Sequence, residues 1–425
     1  MRYSRPFFIF MAVYLLMLFF AVGPVYQTDV TNELRNNINS YGIIFHFLSI
    51  VSFLIGAHAA SFSYKYSSIQ ERFFVFRKGR FSLLIYSYCL IGLFVVLWQI
   101  SISISLRDYF NELISYIALR QEMPAIRAYF LLDRESGGLP GIVKMFSYLP
   151  LSALYMVLTY DFLSKRMYSQ KSNILSPQTK KYLFIIFIVI LARSTVTLDR
   201  AVLLSFFLLL LYYFIFSSNN KRLILNLLKR PAFHFGAIMI FIFLYVITTI
   251  RQGKGLGKAF AEYSSLGLAN LSILFEKPFD YTWGTESVFH VIYFPLKYFG
   301  LTHILPAFRE ADWIWNPARY LTAYAYQDFG IFCIIFFILF GFLTTLVYLK
   351  ALYKSNPYAI VILFPLIIVI AGSVGVPAFR GPEWWVSLLM GIVGVKLCFK
   401  HSKHLRNSIK NDKIRRYHKT TTHPL

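Results

Sequence analysis

Residues 81–106 read FSLLIYSYCLIGLFVVLWQISISISL, an uninterrupted run without a charge or a proline. As an α-helix rising 1.5 Å per residue, this run is about 39 Å long and exceeds the roughly 30 Å of a bilayer's hydrocarbon core. The stretch therefore predicts a transmembrane helix.

The composition of the whole chain agrees with that prediction. Of the 425 residues, 57% are hydrophobic and 15% are charged, whereas about a quarter are charged in soluble proteins. This balance excludes a soluble globular enzyme and predicts an all-α, polytopic membrane protein of about ten transmembrane helices. The predicted spans are residues 7–26, 41–64, 81–106, 142–163, 182–198, 201–216, 232–250, 329–349, 358–376 and 384–399.

The distribution of charge predicts the topology. With the N-terminus in the cytoplasm, the inner segments hold 26 of the 43 Lys and Arg residues, and the outer segments hold 16 of the 19 Asp and Glu residues. Cytoplasmic loops carry an excess of Lys and Arg, so both termini are predicted to be cytoplasmic. The net charge of +24 then reflects topology and does not indicate nucleic-acid binding.

The spans divide the chain into four parts. Residues 1–250 contain helices 1–7 and an amphipathic outer loop near 107–141, and residues 251–328 form a large outer loop between helices 7 and 8. Residues 329–399 contain helices 8–10. Residues 400–425 form a basic cytoplasmic tail that is expected to lie against anionic lipid headgroups.

The large outer loop combines cations, carboxylates and three tryptophans, which suits a carbohydrate phosphate. Aromatic rings stack on sugars, and arginine binds phosphate through a bidentate fork. The loop opens with Arg251 in the glycine-rich sequence RQGKGLGK (251–258), which is a candidate phosphate cradle. An interfacial aromatic belt with solvated charges, and a plain flexible turn at 251–258, are the alternatives.

Three further arginines lie near the ends of predicted spans. Arg193 and Arg200 bracket the turn between the fifth and sixth spans, and Arg380 precedes the tenth. Charges close to a span are costly unless they are paired or line a wet cavity, so these residues are candidate ligands for an anionic substrate. Pairing of Asp199 with one of the arginines is the structural alternative.

The sequence contains no motif that indicates hydrolase, redox or metal-dependent chemistry. There is no Gly-x-Ser-x-Gly, His-Glu-x-x-His or Cys-x-x-Cys motif, and the three cysteines fall inside predicted helices. The acidic triplets 133–135 and 310–312 have no supporting histidine nearby. Neither a metal ion nor another cofactor is predicted.

Three segments carry a resemblance to a known family. They are LDRAVLL (198–204), IRQG (250–253) and the stretch from Asn316-Pro317 through YQDFG (326–330) to FGF (340–342). Together with the span layout they resemble the O-antigen polymerases, also called oligosaccharide repeat unit polymerases (Wzy-type). Arg319 and Arg380 each precede a glycine by eleven positions, a spacing that some members repeat.

The resemblance implies a metal-independent glycosyltransferase in the bacterial inner membrane. It would transfer a growing glycan from one undecaprenyl diphosphate to the sugar end of a second lipid-linked repeat unit at the periplasmic face. Membrane lipids and a polysaccharide chain-length regulator are the further partners implied. Close alternatives are an O-antigen ligase, which uses the lipid A core as acceptor, and a lipid-linked oligosaccharide flippase or other transporter.

That reaction needs cations for the diphosphate and a general base for the acceptor hydroxyl. The candidates for the diphosphate are Arg251 with Arg200 or Arg319, supplemented by Arg193, Arg380 and His290 as substrate-binding residues. The catalytic candidates for the base are Glu276, Asp280 and Glu286, with His290 and His303 as alternatives.

Overall fold

The computed structural model describes residues 5–23, 29–64, 74–103, 105, 107–108, 111, 141–167, 175–197, 200–217, 256–276, 320–372 and 382–401. These residues are almost entirely helical. The predicted seventh span, most of both outer loops and the basic tail after residue 401 lie outside them.

The described elements alternate between long helices and short connections. The helices are α1 (Arg5–Val22), α2 (Asp29–Asn36), α3 (Ser40–Ser63), α4 (Lys78–Ser103), α5 (Gly141–Met145), α6 (Leu149–Met167), α7 (Pro177–Thr197), α8 (Arg200–Ser217), α9 (Leu256–Glu276), α10 (Leu321–Phe329), α11 (Cys333–Lys354), α12 (Pro357–Gly372) and α13 (Pro382–Cys398). Single 3₁₀ turns at Phe146–Tyr148 and Gly330–Phe332 precede α6 and α11, and the strands β1 (Phe74–Phe76) and β2 (Phe399–His401) form one small sheet.

Among the described residues, three helical segments are long and apolar enough to cross a membrane. They are Ser40–Ser63, Lys78–Ile102 and Leu321–Lys354, and each coincides with a predicted span. Shorter apolar helices occupy Phe8–Val22, Ala201–Phe214, Pro357–Gly372 and Trp384–Cys398. The prediction of an all-α fold with long apolar helices is thus confirmed, and these helices are compatible with a membrane protein. The count of ten spans and the large periplasmic loop stay predictions.

Polar residues just outside the apolar runs set where the helices begin. Asn39 precedes α3, and its Oδ1 accepts a hydrogen bond from Gly42 N at 2.9 Å. Ser176 precedes Pro177 at the start of α7, and its Oγ accepts a hydrogen bond from Thr179 N at 3.1 Å. A capping side chain satisfies an otherwise unpaired amide, and proline fits the first helical position because its φ is already helical.

The closest helix pair in the bundle is α3 with α11. Gly56 lies against the carbonyl oxygen of Ile338, and Gly341 lies against the carbonyl oxygen of Phe53, so a Cβ at either glycine would overlap a backbone atom. Small residues allow membrane helices to approach this closely, and the close approach maximises van der Waals contact.

The aromatic contacts along this pair show its direction. Phe45 of α3 lies against Tyr326 of α10, the short helix that leads into α11 (ring centroids 5.0 Å apart). Tyr64, which follows α3, lies against Tyr353 near the end of α11 (6.2 Å). Helices α3 and α11 therefore run in the same direction. Predicted spans 2 and 8 are both even-numbered, so the parallel arrangement agrees with the alternation read from the charges.

Helix α1 joins the pair through stacked rings. Phe10 is fully buried and stacks on Phe53 of α3, with the ring centroids 4.3 Å apart. Tyr14 stacks on His46 of α3 (4.5 Å), and the His46 Nε2 lies 3.2 Å from the Tyr14 carbonyl oxygen. Offset aromatic pairs contribute beyond the area they bury, so α1, α3 and α11 form a common aromatic core.

A buried carboxylate joins α6, α7 and α8. Asp161 accepts hydrogen bonds from the hydroxyls of Tyr213 and Thr179 (the latter at 2.9 Å) and from the amide of Ser176 (3.4 Å). Lys165 Nζ lies 2.7 Å from Asp161 Oδ2. The carboxylate oxygens are thus supplied with several donors, which is the condition under which a buried charge is tolerated.

The small sheet lies at the same end of the bundle. Strands β1 and β2 pair in antiparallel orientation, and Arg77 N, just after β1, donates to Cys398 O at 3.1 Å. Phe76 stacks on Tyr160 of α6, with the ring centroids 4.2 Å apart and Asp161 next in the chain. The sheet therefore ties the start of α4 and the end of α13 to the Asp161 cluster.

Two further contacts bring the ends of α3 and α11 to this place. Arg166 Nη1 donates to Ser355 Oγ at 2.7 Å, and Lys354 Nζ lies 5.6 Å from the ring centroid of Tyr64. We call this region the cationic end. Its described segments contain one carboxylate, Asp161, and the cations Arg77, Lys78, Arg80, Lys165, Arg166, Lys180, Lys181, Lys350, Lys354, Lys396 and Lys400.

Helix α9 is an element that the sequence did not predict, and it occupies the first part of the large loop 251–328. It packs against α1, α2 and α3, and Ser264, Ser265, Asn270 and Ser272 on it are all fully buried. The segment 256–276 contains no proline, and Pro278 follows its end. Its polar side chains face other helices, which explains why an apolar-run criterion missed it.

We expect Gly341→Ala to destabilise the protein, because the new methyl group would overlap the Phe53 carbonyl in the α3–α11 contact. Overpacking of this kind costs roughly 1–3 kcal/mol, so the melting temperature of the purified protein should fall by several degrees. Gly79→Ala in α4 is the matched control, since no atom lies within 4 Å of the added Cβ. Equal melting temperatures for the two variants would contradict the packing argument.

We expect Asp161→Asn to destabilise the bundle by roughly 3–5 kcal/mol, because it leaves the Lys165 ammonium group without its counter-charge. The double variant Asp161→Asn/Lys165→Met should recover part of the loss, since no unpaired charge remains. Thermal unfolding of the three proteins measures both effects. A double variant less stable than Asp161→Asn would show that the ion pair is not the source of the loss.

Candidate functional site

The structure describes the side chains of two of the nine predicted site residues, Arg193 and Glu276. Arg200 is the first residue of α8, and its side chain is not described. The other six predicted residues lie outside the described residues, as does the alternative base His303. They are Arg251, Asp280, Glu286, His290, Arg319 and Arg380.

Arg193 is fully buried, one turn before the end of α7. Its guanidinium carbon lies 4.1 Å from the ring centroid of Tyr148, which belongs to the 3₁₀ turn before α6. A cation over an aromatic face is attracted by the negative charge of that face, so this contact holds the Arg193 guanidinium beside Tyr148.

Two serines neighbour this pair in the chain. Ser147 precedes Tyr148 and Ser194 follows Arg193, and both are fully buried. Neither hydroxyl has a hydrogen-bond partner among the residues that the structure describes. Because buried hydroxyls are normally hydrogen-bonded, their presence here indicates a region built for more polar contacts than the described residues supply.

Glu276 is exposed at the last position of α9 and is held by Asn39. The Asn39 Nδ2 donates to Glu276 Oε1 at 2.8 Å and to the Ser272 carbonyl oxygen at 3.1 Å. The Asn39 amide also donates to Ser272 Oγ at 3.2 Å. A carboxylate that is both exposed and oriented by a neighbouring donor can accept a proton from a bound hydroxyl group.

Helix α9 is itself fixed by buried polar contacts. Tyr320 donates its hydroxyl hydrogen to the Ser264 carbonyl oxygen at 2.6 Å, and Gly267 lies directly against the Tyr320 ring. Arg35 of α2 donates to the carbonyl oxygens of Ala21 and Gly23 at the end of α1, at 2.9 and 2.6 Å. The Tyr320 contacts hold α9, which carries Glu276, and the Arg35 bonds join the two helices α1 and α2 on which α9 packs.

Arg193 and Glu276 lie at the same end of the bundle, although they belong to helices with different neighbours. Helix α3 runs from Asn39, beside Glu276, to Tyr64 at the cationic end. Helix α7 begins at the cationic end and reaches Arg193 after four turns. Both candidates therefore lie opposite the cationic end.

Sequence reasoning did not identify Asn39 or Tyr148 as contributors to this end. Asn39 could have been recognised as a helix cap before an apolar run, but its contact with Glu276 depends on α9. Within the described ranges, no group of three His, Cys, Asp or Glu side chains could hold a metal ion.

Comparisons with known proteins add no identification. No protein-family model, curated protein or solved structure matches the chain.

We expect Asn39→Asp to keep the α3 cap and to lose the donor to Glu276. The two carboxylates would then repel each other at neutral pH, and the melting temperature at pH 7.5 should fall by several degrees. Acidification should reduce the deficit, because protonation of one carboxyl group removes the repulsion. Asn36→Asp, an equal charge change at an exposed position of α2, is the control. A deficit independent of pH would contradict the Asn39–Glu276 contact.

Proposed function

We propose that the protein polymerises undecaprenyl-diphosphate-linked oligosaccharide repeat units into O-antigen polysaccharide at the periplasmic face of the bacterial inner membrane. Both termini are cytoplasmic in this proposal. The enzyme is a glycosyltransferase that takes the glycan from one lipid diphosphate and joins it to the sugar end of another, without a metal ion or another cofactor. The family resemblance of the sequence motivates the proposed reaction.

The observation that carries the proposal is the separation of the two ends of the bundle. Among the described residues, the cationic end gathers eleven cations and one carboxylate, which is the composition of a cytoplasmic surface. Arg193 and Glu276 lie at the opposite end. In the proposed topology that end faces the periplasm, where a lipid-linked repeat unit presents its diphosphate and its sugars.

In the proposed mechanism, Arg193 binds the diphosphate of the donor together with cations of the large loop. The diphosphate leaves as the new glycosidic bond forms, and its negative charge grows in the transition state. A guanidinium already oriented on Tyr148 stabilises that charge without reorganisation. The cations assigned to the same role are Arg200, Arg251, Arg319 and Arg380, with His290 as a further substrate contact.

The proposed general base is a carboxylate near the start of the large loop. Glu276 is the candidate whose side chain the structure describes, and its bond from Asn39 leaves Oε2 for an acceptor hydroxyl. Asp280 and Glu286 follow within ten residues and are assigned as alternatives. The proton removed from the acceptor sugar would pass to this carboxylate as the hydroxyl oxygen attacks the donor sugar.

Deletion of the gene in its native strain, followed by gel separation of the lipopolysaccharide, tests the proposed function. We expect loss of the repeat-unit ladder with one repeat unit retained on the lipid A core, because ligation and flipping still operate. Loss of every repeat unit would indicate a ligase or a flippase instead. An unchanged ladder would overturn the O-antigen proposal.

Complementation of the deletion strain tests the site. We expect Arg193→Ala to abolish the ladder and Arg193→Lys to reduce polymerisation at least tenfold, because lysine keeps the charge but lacks the planar fork. Glu276→Gln should show a similar loss if Glu276 is the base. Arg107→Ala and Glu33→Gln, at exposed positions, are the controls at equal membrane expression. A normal ladder from Arg193→Ala would remove Arg193 from the diphosphate site.

A further inference from the structure

The first five residues of α4 and of α7 each include two exposed cations. These are Lys78 and Arg80 on α4, and Lys180 and Lys181 on α7. Neither helix has an acidic residue in its first turn. The N-terminal end of a helix carries a partial positive charge, so acidic residues are favourable there and cations are unfavourable. The two helices thus begin with the charge opposite to the one their dipoles favour.

The two first turns lie side by side. Ser82 of α4 and Tyr182 of α7 are hydrogen-bonded through their hydroxyl groups. Each hydroxyl also contacts the residue one turn earlier on its own helix. Ser82 Oγ donates to the Lys78 carbonyl oxygen (3.2 Å), and Gln178 donates to the Tyr182 hydroxyl (3.0 Å). This pair of hydroxyls places the starts of the two helices, which carry the cations, next to each other at one edge of the cationic end.

The part of the chain that the structure describes supplies little opposite charge at this edge. Asp161, the one carboxylate in the described segments of the cationic end, is buried and already binds Lys165. The positive charges of the four exposed cations and the partial positive charges of the two helix N-termini therefore add to one positive potential. Such an arrangement is stabilised by an anion from outside the chain, and oxygen-rich phosphate groups are the anions that helix N-termini and basic side chains bind best.

The side chains immediately beyond the cations indicate where that phosphate comes from. Leu83 on α4 is 69% exposed and Phe184 on α7 is 64% exposed. In a membrane protein, large apolar side chains with this exposure face acyl chains. A ligand with phosphate at the cations and hydrocarbon beside Leu83 and Phe184 is a phospholipid.

We propose that the edge formed by the first turns of α4 and α7 is a binding site for the headgroup of an anionic phospholipid. The two pairs of cations best match a headgroup with two phosphates, and diphosphatidylglycerol is the lipid of this chemistry. The site lies at the end of the bundle opposite Arg193 and Glu276, so it is independent of the proposed polymerase activity.

Thermal unfolding of the purified full-length protein in detergent tests the proposal. Diphosphatidylglycerol should raise the melting temperature at micromolar concentrations, whereas phosphatidylcholine and inorganic phosphate should not. Both Lys78→Gln/Arg80→Gln and Lys180→Gln/Lys181→Gln should bind the lipid at least tenfold more weakly. Lys350→Gln/Lys396→Gln is the matched control, because it removes two exposed cations of the same end away from the helix starts.

The lipid-free proteins provide a second readout. The two site variants should melt at or above the temperature of the wild type, since each removes like charge from a helix N-terminus. An equal loss of lipid binding in the control would indicate diffuse electrostatic attraction and would overturn the site. Stabilisation by inorganic phosphate alone would overturn the lipid assignment, and so would an equal response to phosphatidylcholine.

Discussion

The backbone contact between α3 and α11 is the constraint on which the rest of the bundle depends. Gly56 and Gly341 leave no side chain between the helices, so their separation is fixed by main-chain atoms. The ring of Phe10 then brings α1 onto this pair by stacking on Phe53. Helices α3 and α11 run in the same direction, so both end at the cationic end, while α3 begins beside Glu276.

The composition and the apolar runs were sufficient to predict the helical class and the positions of the three longest apolar helices, whereas the topology read from the charges stays a prediction. Both signals are local, because burial in lipid selects each span for its own composition. Helix α9 escaped prediction because Ser264 and Asn270 are buried against other helices and not against lipid. The pairing of β1 with β2 and the bond from Asn39 to Glu276 join distant parts of the chain, and no local pattern encodes them. Arg193 was identified because a cation near a span is costly, whereas its partner Tyr148 looked like any interfacial tyrosine.

The two ends handle charge in different ways. At the cationic end, Asp161 accepts hydrogen bonds from Thr179 and Tyr213 and neutralises Lys165, while most of the other cations are exposed. At the opposite end, Arg193 is buried on an aromatic ring, and Glu276 is exposed and oriented by the side-chain amide of Asn39. The first arrangement suits attachment to a negatively charged surface. The second suits recognition of one anionic group and transfer of one proton.

The sheet formed by β1 and β2 also bears on how the chain is made. Strand β1 leaves the ribosome early, whereas β2 follows the last described helix and emerges near the end of synthesis. Until then the hydrogen-bonding groups of β1 have no strand beside them. The two strands can therefore pair only after α13 has been inserted, so the sheet forms late in the assembly of the bundle. A nascent chain that stops before Phe399 would retain its helices, but β1 would have no β2 to pair with.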